Sequence, residues 1–240
     1  MRATEFEFRF RFFIIMALFI AGFWCYQLDP VNVSVMVAGW LMGHPFQFGA
    51  SSDRHVVQAI MALGSVLAVL AALLRTWAAA YLQSEVVHDW KLHGEGLVAD
   101  GPYRYVRNPL YLGGVLIAIG FGMAASRLGF VVMAGGLILF YCRLIAREES
   151  LLSETQGESY RQFLKAVPRL VPSFSPRVAA GGVVPRWGQA VMGETFMWLF
   201  AGALACFAAT LSQRVFLTTT VAGVAASVLA KAAVRRRHPD

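Results

Sequence analysis

Two polar stretches in an otherwise apolar chain hold the residues whose types and spacing could do chemistry. The first covers residues 88–113 and includes His88, Glu95, Gly96, Tyr103, Arg107, Asn108, Pro109 and Tyr111. Gly94, Gly96 and Gly101 let the backbone approach a ligand closely, and Pro102 and Pro109 forbid one continuous helix through the stretch. Pro109 suits the first turn of a helix and places Asn108 at its N-cap. The unpaired N–H groups of that helix end form a site for a carboxylate, and Tyr111, one turn in, reaches the same ligand. The plain alternative is a capped turn with aromatic side chains at a membrane interface.

The second stretch covers residues 143–169 and carries Arg143, Arg147, Glu148 and Glu149. Its pattern predicts an amphipathic helix to Gln156, a stop at Gly157 and a short further helix before Pro168. Arg143 and Arg147, four residues apart on that helix, repel each other, which is easier to understand if one of them meets an anion. The plain alternative is a solvated, charged rim. Together the stretches offer backbone N–H groups, arginines, tyrosines and a pair of carboxylates. That set suits a zwitterionic cofactor with a cationic centre.

The elements that must position these groups follow from composition. Of 240 residues, 58% are hydrophobic and 15% charged, against about 45–50% and about 25% in soluble domains. The mean hydropathy of +0.57 points to lipid and excludes a disordered chain. Six windows are apolar enough for membrane helices: 12–28, 56–82, 110–126, 128–145, 195–211 and 215–230. The third and fourth are separated by little more than Arg127, so they form a tight antiparallel hairpin that can fall short of full bilayer thickness. The first follows basic residues as a signal peptide does, but Glu5 and Glu7 interrupt its head and no cleavage site follows, which predicts a retained helix.

The basic residues report topology. With the N-terminus inside, sixteen Lys and Arg fall on the cytoplasmic side and only Arg54, Arg127 and Arg214 on the other, as the positive-inside rule requires with both termini cytoplasmic. The net charge of +7 is thereby accounted for without a nucleic-acid partner. Arg75 and Arg143 stay inside windows, near their cytoplasmic ends. Each either snorkels to the headgroups or meets a buried anion. Cys25, Cys142 and Cys206 are scattered through apolar runs, build neither a disulfide framework nor a metal site, and read as buried thiols.

The expected fold is therefore all-α: a polytopic membrane protein of about six transmembrane helices, including the tight hairpin, with cytoplasmic cofactor-binding segments. Residues 1–240 form one integral membrane domain, with a core at about 75–172 and an accessory C-terminal hairpin at about 195–230.

Residues 96–113, GLVADGPYRYVRNPLYLG, then a hydrophobic hairpin, then Glu148-Glu-Ser-Leu-Leu, Gly157-Glu-Ser-Tyr and Val167-Pro-Arg, resemble the isoprenylcysteine carboxyl methyltransferase and phospholipid methyltransferase superfamily, polytopic enzymes that use S-adenosylmethionine. The resemblance covers roughly residues 75–172. It implies cofactor contacts at His88, Glu95, Gly96, Leu97, Val98, Tyr103, Asn108, Pro109, Leu110, Tyr111 and Glu148. In that reading Glu148 accepts hydrogen bonds from the ammonium or ribose, the helix end at Pro109 faces the methionine carboxylate, and the backbone at Leu97 and Val98 reads the adenine edge. The chain departs from the eukaryotic prenylcysteine enzymes twice. Asn108 stands where they carry histidine, so this position cannot titrate near neutrality. Leu144 stands where they carry a substrate arginine, with Arg143 one position earlier. The Arg-Asn-Pro form is also seen in bacterial members of the family, which points towards a bacterial inner-membrane protein and away from a strict prenylcysteine substrate.

The implied reaction is methyl transfer to a lipophilic acceptor that enters from the bilayer, with isoprenylcysteine-like carboxylate O-methylation favoured. Phospholipid N-methylation and thiol S-methylation are the alternatives. A carboxylate acceptor would be held by a cation such as Arg143 or Arg75, whereas an amine would need a carboxylate such as Glu149 to take its proton. Arg143 and Glu149 are thus the candidate catalytic residues. A reading of another class is a non-enzymatic membrane carrier or assembly factor. Against a carrier, the chain shows no inverted repeat, and its polar residues cluster at one face rather than at mid-membrane.

Overall fold

Local sequence signals set the helix starts in a computed structural model, which describes residues 2–47, 49–82 and 99–237, with side chains to residue 228. Thr4 and Glu7 close a reciprocal capping box at the head of α1 (Glu5–Arg9). Helix α2 (Arg11–Trp24) follows and tightens into a 3₁₀ turn at Cys25–Gln27. Asn32 caps α3 (Val33–Met42), which ends on Gly43 in the left-handed region at φ 72°. Then come α4 (Ser51–Tyr81), a 3₁₀ turn at Gly101–Arg104 and α5 (Pro109–Gly122). Ser126 caps α6 (Arg127–Thr155), which contains a π-turn at Val131–Gly135. Helices α7 (Gly157–Ala166), α8 (Trp187–Gly193), α9 (Thr195–Thr210) and α10 (Gln213–Arg237) complete the chain. The described residues contain no strand, in keeping with the all-α expectation.

Each of the six apolar windows is helical, but helix length supports fewer full crossings. Among the described residues, α4 and α6 are long and apolar enough to cross a bilayer, and α8 with α9, bent by 56°, makes a third if it is one broken span. Helix α5 has 14 residues, about 21 Å at 1.5 Å per residue, short of the roughly 30 Å hydrocarbon core. Hydropathy windows run through turns, whereas a span needs unbroken helix. The ten-residue α3 lay outside the windows because it is too short to register as a span.

The chain divides into two compact units. One comprises Met1–Ile14, Leu73–Gly114 and Ile138–Glu194, and the other Ile15–Ala72, Val115–Leu137 and Thr195–Asp240. The second unit packs through small residues and rings. A Cβ on Gly120 would stand 2.5 Å from the Gly64 carbonyl oxygen, and one on Gly129 would overlap the Gly22 carbonyl, so these helix pairs touch backbone to backbone. Phe121 meets the rings of Phe19, Phe200 and Phe216. At the turn of the α5–α6 hairpin, Asp29 accepts the Arg127 guanidinium at 3.0 and 3.2 Å and the Leu128 amide at 3.1 Å.

Cys25 is buried as expected, but Cys142 and Cys206 are exposed. An apolar run in a membrane helix includes an outward face, so membership of the run does not imply burial.

Candidate functional site

The first unit is organised by polar contacts. Its turn at residues 100–108 begins with Gly101 at φ 55°, where a Cβ would strike the Tyr81 ring, so both the backbone and the space require glycine. Asp100, buried, accepts backbone N–H groups from Gly181 at 2.8 Å and Val183 at 2.9 Å. Further backbone bonds run from Arg107 to Pro168, Ser173 to Tyr105 and Arg177 to Arg104. The extended segment after α7 is therefore laid along this turn and fixes it.

The turn buries Tyr103, whose hydroxyl has no hydrogen-bond partner among the described residues. Burial pushes this hydroxyl far above its ordinary range. Arg75 opposes that rise, while Glu148 and Glu194 add to it. Asn108 and Pro109 open α5 as expected: the Asn108 carbonyl accepts the Leu112 amide, and Pro109 takes the first helical position. The Asn108 side chain does not turn back on its own helix. It donates to the Arg169 carbonyl at 3.1 Å.

Neighbouring glutamates on α6 face different partners because successive helical residues point about 100° apart. Glu148 accepts the Tyr111 hydroxyl at 2.7 Å. The Tyr111 ring meets Tyr141 edge-on with centroids 4.9 Å apart, and Gly114 leaves the space that the Tyr141 hydroxyl occupies. Glu149, buried, is instead held by Arg107 at 3.2 Å and Arg169 at 2.5 Å.

Both intramembrane arginines have carboxylate partners within the chain. Arg75 forms a fork with Glu194 at 2.7 and 2.9 Å, and its Nη1 donates to the Leu110 carbonyl at 3.0 Å. Arg143 donates to Glu7 at 2.8 Å, Arg147 donates to the Ala3 carbonyl at 3.1 Å, and Arg147 also lies over the Phe8 ring. The anion that eases the Arg143–Arg147 repulsion is thus supplied by the N-terminal helix. Arg143, with a hydrogen bond to Glu7 and a neighbouring capping bond from Thr4, holds the Glu7 carboxyl at about 2.

The structure therefore gathers Tyr103, Asn108, Pro109, Leu110, Tyr111, Arg143, Glu148 and Glu149 into one unit. His88, Glu95, Gly96, Leu97 and Val98 lie outside the described residues. Sequence reasoning did not single out Tyr141 or Asp100, noted Glu7 without assigning it a partner, and gave no partner to Glu194. Tyr141 had a legible signal, since it precedes Glu148 by seven residues, two helical turns on the same face. Glu194 had none, because 119 residues separate it from Arg75. Chemically, the tyrosine rings and the Glu148 carboxylate can face a cationic centre, and the buried Tyr103 hydroxyl can bond a polar group, having no partner among the described residues. That donor set fits a sulfonium-bearing amino acid cofactor.

Residues 59–159 match the phospholipid methyltransferase family. The likeness to the isoprenylcysteine and phospholipid methyltransferases read from the motifs thus holds over this segment, which contains Tyr103, Asn108, Pro109, Leu110, Tyr111, Arg143, Glu148 and Glu149. A protein-S-isoprenylcysteine O-methyltransferase of Schizosaccharomyces pombe is 37% identical over 78 residues, 32% of this chain and 33% of that protein. A nickel-cobalt-cadmium resistance protein of Alcaligenes xylosoxydans is 27% identical over 150 residues, 62% of this chain and 63% of that protein. A cobalt-zinc-cadmium resistance protein of Cupriavidus metallidurans is 28% identical over 146 residues, 60% and 62% of the two chains. The chain thus spans about a third of the first relative's length and under two thirds of the other two. No solved structure matches the chain.

Proposed function

We propose that this chain is an integral membrane methyltransferase that uses S-adenosylmethionine and acts on a lipophilic acceptor bearing a carboxylate, as in isoprenylcysteine O-methylation. The observation that carries this reading is the Tyr111 hydroxyl donating to the Glu148 carboxylate at 2.7 Å, two turns from Tyr141 on the same helix face, within the family-matched segment. Placement in a bacterial inner membrane with cytoplasmic termini is part of the same proposal and rests on the charge distribution.

When bound, S-adenosylmethionine supplies a methyl group already activated on a sulfonium. The chain's residues then have to bind, orient and exclude water, and proximity and orientation can supply about 7–11 kcal/mol of barrier reduction. Glu148, oriented by the Tyr111 hydroxyl, accepts hydrogen bonds from the ammonium or ribose. The first turn of α5, at Pro109, Leu110 and Tyr111, receives the amino acid carboxylate, with the Tyr103 hydroxyl as a further donor. Asn108 ties that helix start to the Arg169 segment. Arg143 holds the acceptor's carboxylate, which exchanges for Glu7 on the same guanidinium.

A carboxylate acceptor is favoured over an amine by the state of Glu149. Methylating a carboxylate oxygen releases no proton, whereas methylating an ammonium headgroup requires a base. Glu149, the candidate for that base, has its carboxylate engaged by two guanidinium groups. In this reading it serves by holding Arg107 and Arg169 together.

Calorimetric titration of the purified chain with S-adenosylmethionine tests the proposal. Glu148→Gln is expected to abolish binding while expression and membrane insertion are retained. Binding with wild-type affinity would remove Glu148 from the site.

A further inference from the structure

Glu194 lies beyond the family-matched segment and in neither polar stretch, yet it is one of the most firmly engaged carboxylates of the first unit. Both of its oxygens are taken by the Arg75 fork, at 2.7 and 2.9 Å, and both side chains are largely buried. A bidentate pair fixes the plane of the guanidinium and not only its distance. The direction of the third nitrogen is then set, and Nη1 points to the Leu110 carbonyl at 3.0 Å. Leu110 is the second residue of α5. It stands between Pro109, which starts the helix, and Tyr111, which holds Glu148.

We infer that Glu194 is a positioning residue for the cofactor-binding turn: it locks Arg75 so that Nη1 grips the Leu110 carbonyl and holds the Pro109–Tyr111 turn in register with Glu148. The inference rests on the cofactor reading proposed above. It gives residues past the family-matched segment a direct part in the site. A carboxylate that only clamped helices together would affect stability alone, whereas one that orients Arg75 controls the turn through a particular hydrogen bond.

Three variants of the full chain in detergent separate these roles: Glu194→Gln, the exchange Arg75→Glu with Glu194→Arg, and Arg75→Lys. The readouts are the thermal midpoint, the affinity for S-adenosylhomocysteine by calorimetry, and amide hydrogen exchange across residues 109–114. Glu194→Gln is expected to lower the midpoint, to weaken the affinity at least about tenfold, as loss of a charged hydrogen bond does, and to speed exchange in the turn. The double exchange rebuilds an ion pair but puts a carboxylate, not a donor, opposite the Leu110 carbonyl. Its midpoint should recover while affinity and amide exchange do not. Should the double exchange fail to fold, Arg75→Lys decides, since it keeps the charge and loses the fork, and it should reproduce the weakened affinity.

Recovery of affinity together with the midpoint in the double exchange, or wild-type affinity and exchange in Glu194→Gln, would overturn the inference. If the wild-type chain binds no S-adenosylhomocysteine, the cofactor reading fails, and the amide exchange of residues 109–114 alone then shows whether Glu194 positions the turn.

Discussion

The two units of this molecule solve the same problem, holding helices together in an apolar setting, by different physics. In the second unit the helices approach through glycines, at Gly64 with Gly120 and Gly22 with Gly129, and interlock through phenylalanine rings around Phe121. Such contacts are short-range and sum over area, so they fix separation well and the direction of any single side chain poorly. In the first unit the contacts are directional: Arg75 with Glu194, Arg107 and Arg169 with Glu149, Arg143 with Glu7, and Tyr111 with Glu148. A charge-assisted hydrogen bond specifies an angle as well as a distance. The unit that carries the candidate site thus holds most of the aimed ion pairs, whereas one in the second unit, Arg127 with Asp29, sits at the turn of a hairpin.

The contrast can be broken most sharply at Glu149. Truncation to Ala leaves the largely buried Arg107 and the half-exposed Arg169 without their shared carboxylate and should cost about 3 kcal/mol, the low end for a buried pair because solvent screens Arg169. The loss should show as a lowered thermal midpoint, with hydrogen exchange accelerating in residues 100–108 and 167–170 while the Phe121 cluster stays protected. Uniform acceleration through both units would show that they share one stability and that the contrast is only one of chemistry.

Gly129→Leu attacks the other side. Its side chain would overlap the Gly22 carbonyl, and overpacking of this kind costs about 1–3 kcal/mol. The expected outcome is a lower midpoint with S-adenosylmethionine affinity close to wild type. A large loss of affinity would mean that the glycine crossing, not the ion pairs, sets the site.

The smallest effect sharpens the picture of the first unit. Glu7 is held at about 2, below its ordinary 4.5, by Arg143 and the cap at Thr4. A depressed carboxyl contributes stability that is complete above about pH 4.5 and is lost as pH falls through about 2. Amide exchange of residues 3–8 should therefore stay slow at pH 5 and lose protection progressively towards pH 2, and Glu7→Gln should show the unprotected behaviour already at neutral pH. Protection unchanged at pH 2 would mean that Phe8 and Ala3 dock the N-terminal helix without the charge pair.

Particular residues show how far the sequence could be read. Pro109 and Asn108 announced the start of α5, and Gly157 the break between α6 and α7, because proline geometry and a left-handed backbone at φ 62° are properties of one or two residues. Arg75 and Arg143 announced themselves by being charged within apolar runs. Their partners did not, since Glu194 and Glu7 lie 119 and 136 residues away. Glu148 and Glu149 were legible as a pair but not as opposites, because which one meets Tyr111 depends on the rotation of α6 against α5. The count of six spans exceeded what helix length supports, since a hydropathy window does not register where helices stop.

The sequence by itself determined the apolar helices, the hairpin, the turns at glycine and proline, and the motifs that mark a membrane methyltransferase family. Each depends on a residue's chemistry and its near neighbours along the chain. Only the tertiary structure decided which carboxylate each arginine meets, which glutamate faces Tyr111, and that Tyr103 is buried with its hydroxyl unpaired among the described residues. Those outcomes follow from helix rotation and crossing, which are set by the packing of segments distant in the chain, 37 residues apart for Tyr111 with Glu148 and 119 for Arg75 with Glu194.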